Sequence, residues 1–241
     1  MNKHRPLSFV MGLGLGAAIL FSGGTVTLGA TAAGPLPDCA YDDVITPYRA
    51  YTDWQSTLLD TTFMVGPRYV PPRLVAVSEA GVAGRGRVRP LVVRDLFSMK
   101  WAAFKAGNPI EVVSAYRSFE AQQQTFRSWV KIDGYEKALA TSARAGHSEH
   151  QLGTTLDFKA KGGRAPWLVE DWATTPAGAW MNANAWKYGF VMTYPKGERR
   201  NTCYSYEPWH FRYFGRALAA AMHDADVTSR QYLWRNGFGL L

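Results

Sequence analysis

The stretch GHSEHQLGTTLD at residues 146–157 decides the fold together with a second short stretch, EPWH at residues 207–210. Between them they offer two imidazoles and two carboxylates suited to a metal site: His150, Asp157, Glu207 and His210. Two histidines and one carboxylate around an open fourth position are the usual shell of a catalytic zinc ion. A glutamate that does not bind the metal can act as the base for metal-bound water. The two stretches are therefore predicted to meet around Zn²⁺.

The spacing within the first stretch argues against a regular helix. On one helix, residues 150 and 157 would lie two turns, about 10 Å, apart along the axis. Both side chains must approach the same zinc ion to about 2.2 Å. Gly153 and the β-branched pair Thr154-Thr155 favour a turn that runs into a strand. This predicts His150 on the turn and Asp157 on the strand.

The second stretch contains a proline, which changes how its side chains face. In a regular strand Glu207 and His210 would point to opposite faces of the sheet. Pro208 predicts a bend instead. The bend would let His210 hold the metal while Glu207 faces the attacking water. Taken alone, however, both spacings also fit ordinary packed or surface side chains.

The local sequence around these residues resembles a known family. Residues 148–157 and the stretch EPWHFRYFG at residues 207–215 are similar to VanY-type D-alanyl-D-alanine carboxypeptidases. That family lies in a wider group of zinc peptidases that includes lysostaphin and the hedgehog-like domains. A third stretch, YRSFEAQ at residues 116–122, resembles the family's Tyr-Arg-Ser-x-x-x-Gln motif. The resemblance covers roughly residues 60–223.

The resemblance implies a role for each matching residue. It implies that His150, Asp157 and His210 bind zinc and that Glu207 is the catalytic base. Arg117 would stabilise the oxyanion, although a surface ion pair is the alternative for this residue. The resemblance also implies substrate contacts for two residues. Ser148 can hydrogen-bond the substrate or its own loop. Gln122 could touch the substrate, and a solvated position on the helix is the alternative.

Two positions in the metal stretch depart from this pattern. The family usually has alanine where this chain has Thr155, which adds a hydroxyl group beside Asp157. His147 is an extra imidazole three residues before His150. It could compete as a ligand, but we expect it to face solvent or substrate.

The order of predicted elements indicates an α+β fold. A helix over residues 93–106 precedes a strand at 110–114 and a second helix, capped by Ser118, that runs to about residue 131. Strands at 190–194 and 209–213 follow, with helices between and after them. This order predicts a small antiparallel sheet that carries the zinc site and is flanked by helices. The resemblance implies the hedgehog and D-Ala-D-Ala peptidase fold.

The start of the chain reads as a secretory signal peptide. A basic beginning, an apolar run over residues 7–20 and the Ala30-Thr31-Ala32 site predict cleavage after Ala32. A retained membrane anchor is the alternative, because the apolar run extends to about Leu28. The predicted organisation is therefore a signal peptide, an N-terminal arm and linker, a peptidase domain and a C-terminal tail, at residues 1–32, 33–59, 60–223 and 224–241.

Charge and cysteine content limit the partners. The formal net charge is +8, which suits an anionic cell wall or membrane surface. The charges are scattered, and no interleaved basic and aromatic stretch predicts nucleic-acid binding.

Cys39 and Cys203 are the two cysteines. In an exported chain they are expected to form a disulfide that ties the arm to the loop before Glu207, with two free thiols as the alternative.

The predicted function is that of a secreted zinc metallopeptidase of the bacterial cell envelope. It would hydrolyse the terminal D-Ala of peptidoglycan stem peptides as a monomer, without an organic cofactor. An L,D-carboxypeptidase, an endopeptidase and a non-catalytic, zinc-stabilised wall-binding module are the alternatives. The substrate carboxylate needs a cationic or polar clamp, for which Arg144 and the loop at residues 196–200 are candidates.

Overall fold

Short strands and longer helices alternate along the part of the chain that the computed structural model describes, Met1 and residues 34–237. The strands are β1 (Val44–Ile45), β2 (Phe63–Met64), β3 (Val75–Ala76), β4 (Ala83–Gly84), β5 (Arg87–Val88), β6 (Ile110–Ser114), β7 (Thr155–Ala160), β8 (Phe190–Met192) and β9 (His210–Tyr213). The α-helices are α1 (Pro90–Lys105), α2 (Phe119–Asp133), α3 (Tyr135–Thr141), α4 (Pro176–Asn184), α5 (Arg199–Thr202), α6 (Arg216–Asp224) and α7 (Ser229–Asn236). The predicted signal peptide and its cleavage site lie outside the described residues apart from Met1.

A five-stranded sheet with the order β4-β6-β7-β9-β8 forms the centre of the fold. The pairs β6–β7, β7–β9 and β8–β9 are antiparallel, whereas the edge strand β4 runs parallel to β6. A parallel pair needs a crossover connection, and α1 supplies it between β4 and β6. The predicted α+β class is confirmed, with one parallel edge strand added to the expected antiparallel sheet.

Alternation along the central strands separates an apolar face of the sheet from a polar one. Leu156 and Phe158 of β7 pack into the main core, which also contains Leu96 and Met99 of α1. Because neighbouring residues of a strand face opposite sides, Asp157 points away from α1. On β9, Phe211 and Tyr213 likewise join the core, which leaves His210 and Arg212 on the side of Asp157.

The two long helices begin where local sequence favours a helix start. Pro90 occupies the first turn of α1, where its missing N–H group is not needed. The Ser118 hydroxyl caps α2 by accepting a hydrogen bond from the amide of Ala121 at 3.2 Å. This cap matches the one expected from the sequence. It places Arg117 at the junction between β6 and α2.

The chain segments before residue 60 and after residue 223 pack onto the region between them. Leu233 of α7 joins a small core with Leu58, Phe214 and Met222. The segment expected to be a C-terminal tail therefore contains a packed helix. The predicted disulfide is also present: Cys39 is bonded to Cys203 with their Cα atoms 5.3 Å apart. In the described part of the chain, no helix is both long and apolar enough to cross a membrane.

We expect removal of the Cys39–Cys203 disulfide to lower the free energy of unfolding by about 2–5 kcal/mol. The bond joins residues 164 positions apart, so it restricts the unfolded chain strongly. Urea unfolding of the Cys39→Ser/Cys203→Ser variant and of the oxidised wild-type protein measures the difference. Equal unfolding free energies would contradict the prediction, and the reduced wild-type protein controls for effects of the serine side chains.

Candidate metal centre

His150 lies on a short 3-10 helix, Glu149–Leu152, that ends at Gly153. Gly153 has a left-handed backbone conformation with φ +72°, and an added Cβ atom would come 3.0 Å from the side chain of Leu74. The Nδ1 atom of His150 donates a hydrogen bond to the carbonyl oxygen of Ala115 at 2.7 Å. Burial lowers the pKa of His150. Its Nε2 atom is therefore left with a lone pair for a metal ion.

Asp157 and His210 are direct partners on the neighbouring strands β7 and β9. The Oδ2 atom of Asp157 lies 3.2 Å from Nε2 of His150, and its Oδ1 atom lies 3.2 Å from Nδ1 of His210. All three side chains are buried. One ligand atom from each lies within 4.8 Å of the others, a separation that one ion could bridge. The structure thus brings together the three residues that the sequence proposed as ligands.

The charges of Asp157 and His210 suit the binding of a cation. Oδ1 of Asp157 is buried and accepts no hydrogen bond from any described residue. Burial alone would raise the pKa of Asp157, but His150 and His210 hold it well below its usual range. Burial alone would lower the pKa of His210, but the nearby Asp157 carboxylate and the hydrogen bond with Glu149 raise it to about 10. A metal ion on Nδ1 would take the place of that proton.

Glu207 stands beside the ligands at the turn before β9. Its Oε2 atom lies 3.6 Å from Nδ1 of His210. Its backbone carbonyl accepts a hydrogen bond from the amide of His210, and its own amide donates to the carbonyl of Tyr194. Burial, with a further contribution from the charge of Asp157, raises the pKa of Glu207 to about 7. Such a carboxyl group can both accept and return a proton near neutral pH.

Arg117 approaches the ligands from the other side. Its Nη2 atom lies 3.9 Å from Oδ2 of Asp157 and donates to the hydroxyl of Ser114 at 2.9 Å. Its Nη1 atom donates to the side chain of Gln122 at 2.7 Å. The guanidinium group is thus held in place at the edge of the site rather than in a loose surface ion pair.

Gln122 is nearly fully buried, so the alternative of a solvated helix position is wrong. Its amide nitrogen donates to the carbonyl oxygen of Ala143 at 2.6 Å, while its oxygen accepts from Arg117. These contacts orient Arg117. Whether Gln122 also touches substrate stays a prediction, as it does for Ser148, which is buried beside the ligands.

A cavity of about 470 Å³ opens over the ligands. The three proposed ligands line this cavity together with Glu207 and Arg117. Aromatic side chains give it an apolar wall, among them Trp129, Trp167, Tyr206 and Trp209. This combination of charged groups at one end and aromatic groups around them suits a peptide-sized ligand.

Glu149 is the residue of the candidate site that sequence reasoning missed. It is buried, accepts a hydrogen bond from Nε2 of His210 at 3.0 Å, and pairs with Arg212 at 2.9 Å. Burial alone would raise the pKa of Glu149, but Arg212 and His210 lower it to about 2. A signal for this role was present, because alternation on the last strand places Arg212 on the same side as His210, where a buried arginine requires an anion.

Two further predictions about nearby residues are wrong. His147 does not face solvent or substrate, since it is fully buried with Nδ1 2.8 Å from the carbonyl oxygen of Asp60 and Nε2 3.0 Å from Asp43. Arg144 is no clamp for substrate, because its guanidinium group pairs with Asp43 at 2.6 Å, away from the cavity. Lys196 of the other candidate clamp pairs with Asp171 at 3.1 Å.

Comparison with known proteins relates most of the described chain to one family. Residues 85–216 match the family model VanY, D-alanyl-D-alanine carboxypeptidase. The chain is 40% identical over 145 residues to YodJ of Bacillus subtilis (strain 168), covering 60% of this chain and 53% of the relative. It is 32% identical over 156 residues to a D-alanyl-D-alanine carboxypeptidase of Enterococcus faecalis (strain ATCC 700802 / V583), covering 61% and 54%. The match therefore spans about half the length of these curated relatives.

Solved structures show the same fold. The LdcB LD-carboxypeptidase is 33% identical, with a TM-score of 0.66 over 74% of this chain and 85% of that one. A mutant of the D,D-pentapeptidase VanY from a VanB-type vancomycin resistance cassette, solved in complex with Zn(II), is 26% identical. Its TM-score is 0.63, and the match covers 75% of this chain and 99% of that one.

We expect His210→Ala to weaken Zn²⁺ binding at least about 100-fold, more than is usual for residues that only support a ligand. His147→Ala is the matched control, since it also removes a buried imidazole from this region but not one of the three ligands. Zinc content per chain and titration with a competing chelator measure the effect in both variants, with circular dichroism to verify the fold. A folded His210→Ala protein with undiminished affinity would refute the ligand assignment.

Proposed function

Because this chain belongs to the VanY family of D-alanyl-D-alanine carboxypeptidases, we propose that it removes the terminal D-Ala from peptidoglycan stem peptides by zinc-dependent hydrolysis. The observation that carries the proposal is the buried cluster of His150, Asp157 and His210, whose ligand atoms lie within 4.8 Å of one another, with Glu207 beside it. The Zn(II) bound to the related VanY structure supports zinc as the ion for this donor set.

Three protein ligands would leave a fourth coordination position on zinc open for water or substrate. When bound, zinc lowers the pKa of a coordinated water and polarises a carbonyl group. The two imidazoles and one carboxylate are the ligand set of catalytic zinc sites with an open position. The cavity above them provides space for a peptide end.

Glu207 acts as the general base in this proposal. Its carboxylate takes a proton from the attacking water and returns it to the leaving amine of D-Ala. A pKa of about 7, raised chiefly by burial, suits both transfers, because the group exchanges protons readily near neutral pH. Its Oε2 atom lies 3.6 Å from Nδ1 of His210, which is close enough to the proposed metal site to support proton exchange there.

Arg117 stabilises the negative charge that develops on the carbonyl oxygen. Its guanidinium group is fixed by Ser114 and Gln122, so it needs no reorganisation during the reaction. A wall-binding module without turnover would need neither this arginine nor the base at Glu207. Their joint presence beside the ligands favours an enzyme.

The specificity has one serious alternative, an L,D-carboxypeptidase that acts on a tetrapeptide. The likeness to the LdcB LD-carboxypeptidase favours it, with 33% identity and a TM-score of 0.66. The VanY family match and the D-alanyl-D-alanine carboxypeptidase of Enterococcus faecalis favour the D,D activity. A related VanYB structure holds D-Alanine-D-Alanine itself.

Because peptidoglycan lies outside the cytoplasmic membrane, the proposed substrate implies that the enzyme acts in the cell envelope. The predicted signal peptide and the disulfide between Cys39 and Cys203 support this location, because disulfides persist in oxidising compartments. The monomeric state and the absence of an organic cofactor stay predictions.

We expect Glu207→Ala to lower kcat roughly 10²–10⁴-fold, the usual contribution of a general base, while fold and zinc content are retained. Measurement of D-Ala release alongside zinc content separates loss of the base from loss of the metal. Ser205→Ala is the matched control, because Ser205 also lines the cavity but is not one of the proposed catalytic groups. Near-wild-type turnover in the Glu207→Ala variant would exclude Glu207 as the base.

We expect the wild-type protein to release D-Ala from a purified wall pentapeptide ending in D-Ala-D-Ala, and a chelator to abolish the release. Mass spectrometry of pentapeptide, tetrapeptide and cross-linked dimer, each incubated with and without chelator, measures this. Release from the tetrapeptide alone would assign the L,D activity. Cleavage of cross-linked dimers alone would assign an endopeptidase, and no cleavage of any substrate would reject an enzyme of stem peptides.

A further inference from the structure

One face of α1 presents three large aromatic side chains to solvent. Phe97, Trp101 and Phe104 are 51%, 46% and 54% exposed. At 3.6 residues per turn they lie within roughly 60° of one another around the helix axis. Trp101 and Phe104 stack with their ring centroids 5.5 Å apart, so they form one apolar surface. We call these three residues the aromatic stripe. Soluble proteins expose such clustered apolar groups mainly where they meet a partner or a membrane.

Basic residues border the aromatic stripe on both sides. By helical periodicity, Arg94 and Lys105 flank one edge and Lys100 the other. Lys100 also holds its ammonium group 5.9 Å from the ring centroid of Trp101. The single acidic residue of α1, Asp95, is engaged by Tyr213 and Arg216. The segment before α1 adds exposed side chains of both signs, with the basic ones in excess: Glu79, Arg85 and Arg87.

We propose that the aromatic stripe docks α1 onto the surface of an anionic lipid bilayer. Tryptophan and phenylalanine insert at the boundary between headgroups and acyl chains, and flanking lysine and arginine side chains reach the lipid phosphates. The net charge is +8 for the full chain and 25 − 19 = +6 without Lys3 and Arg5 of the predicted signal peptide, and in either form it adds attraction to such a surface. A two-fold pairing of stripes from two copies fits less well, because it would bring Arg94, Lys100 and Lys105 of both copies together.

Docking through this face leaves the metal centre accessible. The buried side of α1 packs on the sheet face that carries Leu156 and Phe158, whereas Asp157 points to the opposite face. A bilayer in contact with the aromatic stripe therefore lies across the sheet from the cavity. This inference does not depend on the reaction that the site performs.

A position-specific fluorescence experiment tests the docking in the full chain. Both cysteines of the sequence are used in the Cys39–Cys203 disulfide, so one added cysteine can be labelled selectively in the oxidised protein. Phe104→Cys places a polarity-sensitive label in the aromatic stripe. Ile132→Cys is the matched control, because Ile132 is also an exposed apolar residue on a helix, with 70% exposure. Its helix, α2, lies on the cavity side of the sheet, since Gln122 and Trp129 of α2 line the cavity. The comparison holds whether or not residues 1–32 also enter the membrane.

The vesicles contain phosphatidylglycerol and phosphatidylcholine with brominated acyl chains. Insertion by about 5–10 Å should shift the emission of the label at 104 to the blue and lower its intensity roughly twofold, with little change at 132. Adding Phe97→Ser/Trp101→Ser should reduce quenching at 104 to the level at 132, with an unchanged unfolding transition. Pure phosphatidylcholine vesicles should quench the label at 104 less.

Three results would overturn the proposal. The first is equal quenching at positions 104 and 132 in anionic vesicles. The second is quenching at 104 that does not change when the other two aromatic side chains are replaced. The third is a blue shift at 104 without vesicles that rises with protein concentration together with a dimer in sedimentation, which would assign the aromatic stripe to a second copy.

Discussion

The buried ion pair between Glu149 and Arg212 is the interaction on which the metal centre depends. Glu149 directly precedes the proposed ligand His150, and Arg212 lies on β9, the strand that also carries the proposed ligand His210. Desolvation of two charges is costly unless hydrogen bonds satisfy both. Here Glu149 also accepts from His210, and Nη2 of Arg212 donates to the carbonyl oxygens of Trp54 and Thr57. Nε of Arg212 is buried without a hydrogen-bond partner among the described residues. The pair therefore connects the N-terminal part of the domain, the 3-10 helix and β9.

The same carboxylate sets the orientation of His210. Because Nε2 of His210 donates to Glu149, Nδ1 is the nitrogen that faces Asp157. A ligand histidine commonly donates its second N–H group to a carboxylate in this way, which fixes the tautomer and the ring. His150 follows the same rule with a backbone carbonyl, that of Ala115. Both imidazoles are thus oriented by hydrogen bonds within the protein.

The sheet separates the functions of the molecule. One face carries Leu156 and Phe158 against α1 and supplies the apolar core. The opposite face carries the proposed ligands, whose charges and burial would destabilise an apolar core. The proposed contact with a bilayer uses the outer side of α1, so this contact and the proposed metal site are on opposite sides of the sheet.

The sequence alone determined those features that depend on local pattern. The helix start at Ser118 follows from capping, and the strand at Asp157 follows from Gly153 and the β-branched pair after it. The α+β class, the family and the disulfide were likewise predicted correctly. These features were accessible because the signals lie within a few residues of one another, or because the chain has only two cysteines to join.

Only the tertiary structure decided the roles of His147, Glu149 and Arg144. Each has its decisive partner far away in the chain: Asp60 for His147, Arg212 for Glu149 and Asp43 for Arg144. A polar side chain next to a ligand can face solvent, substrate or the interior, and local sequence does not distinguish these environments. Folding distinguishes them, because burial makes an unpaired charge or polar group costly and stabilises it only where a partner from elsewhere in the chain lies within hydrogen-bond distance.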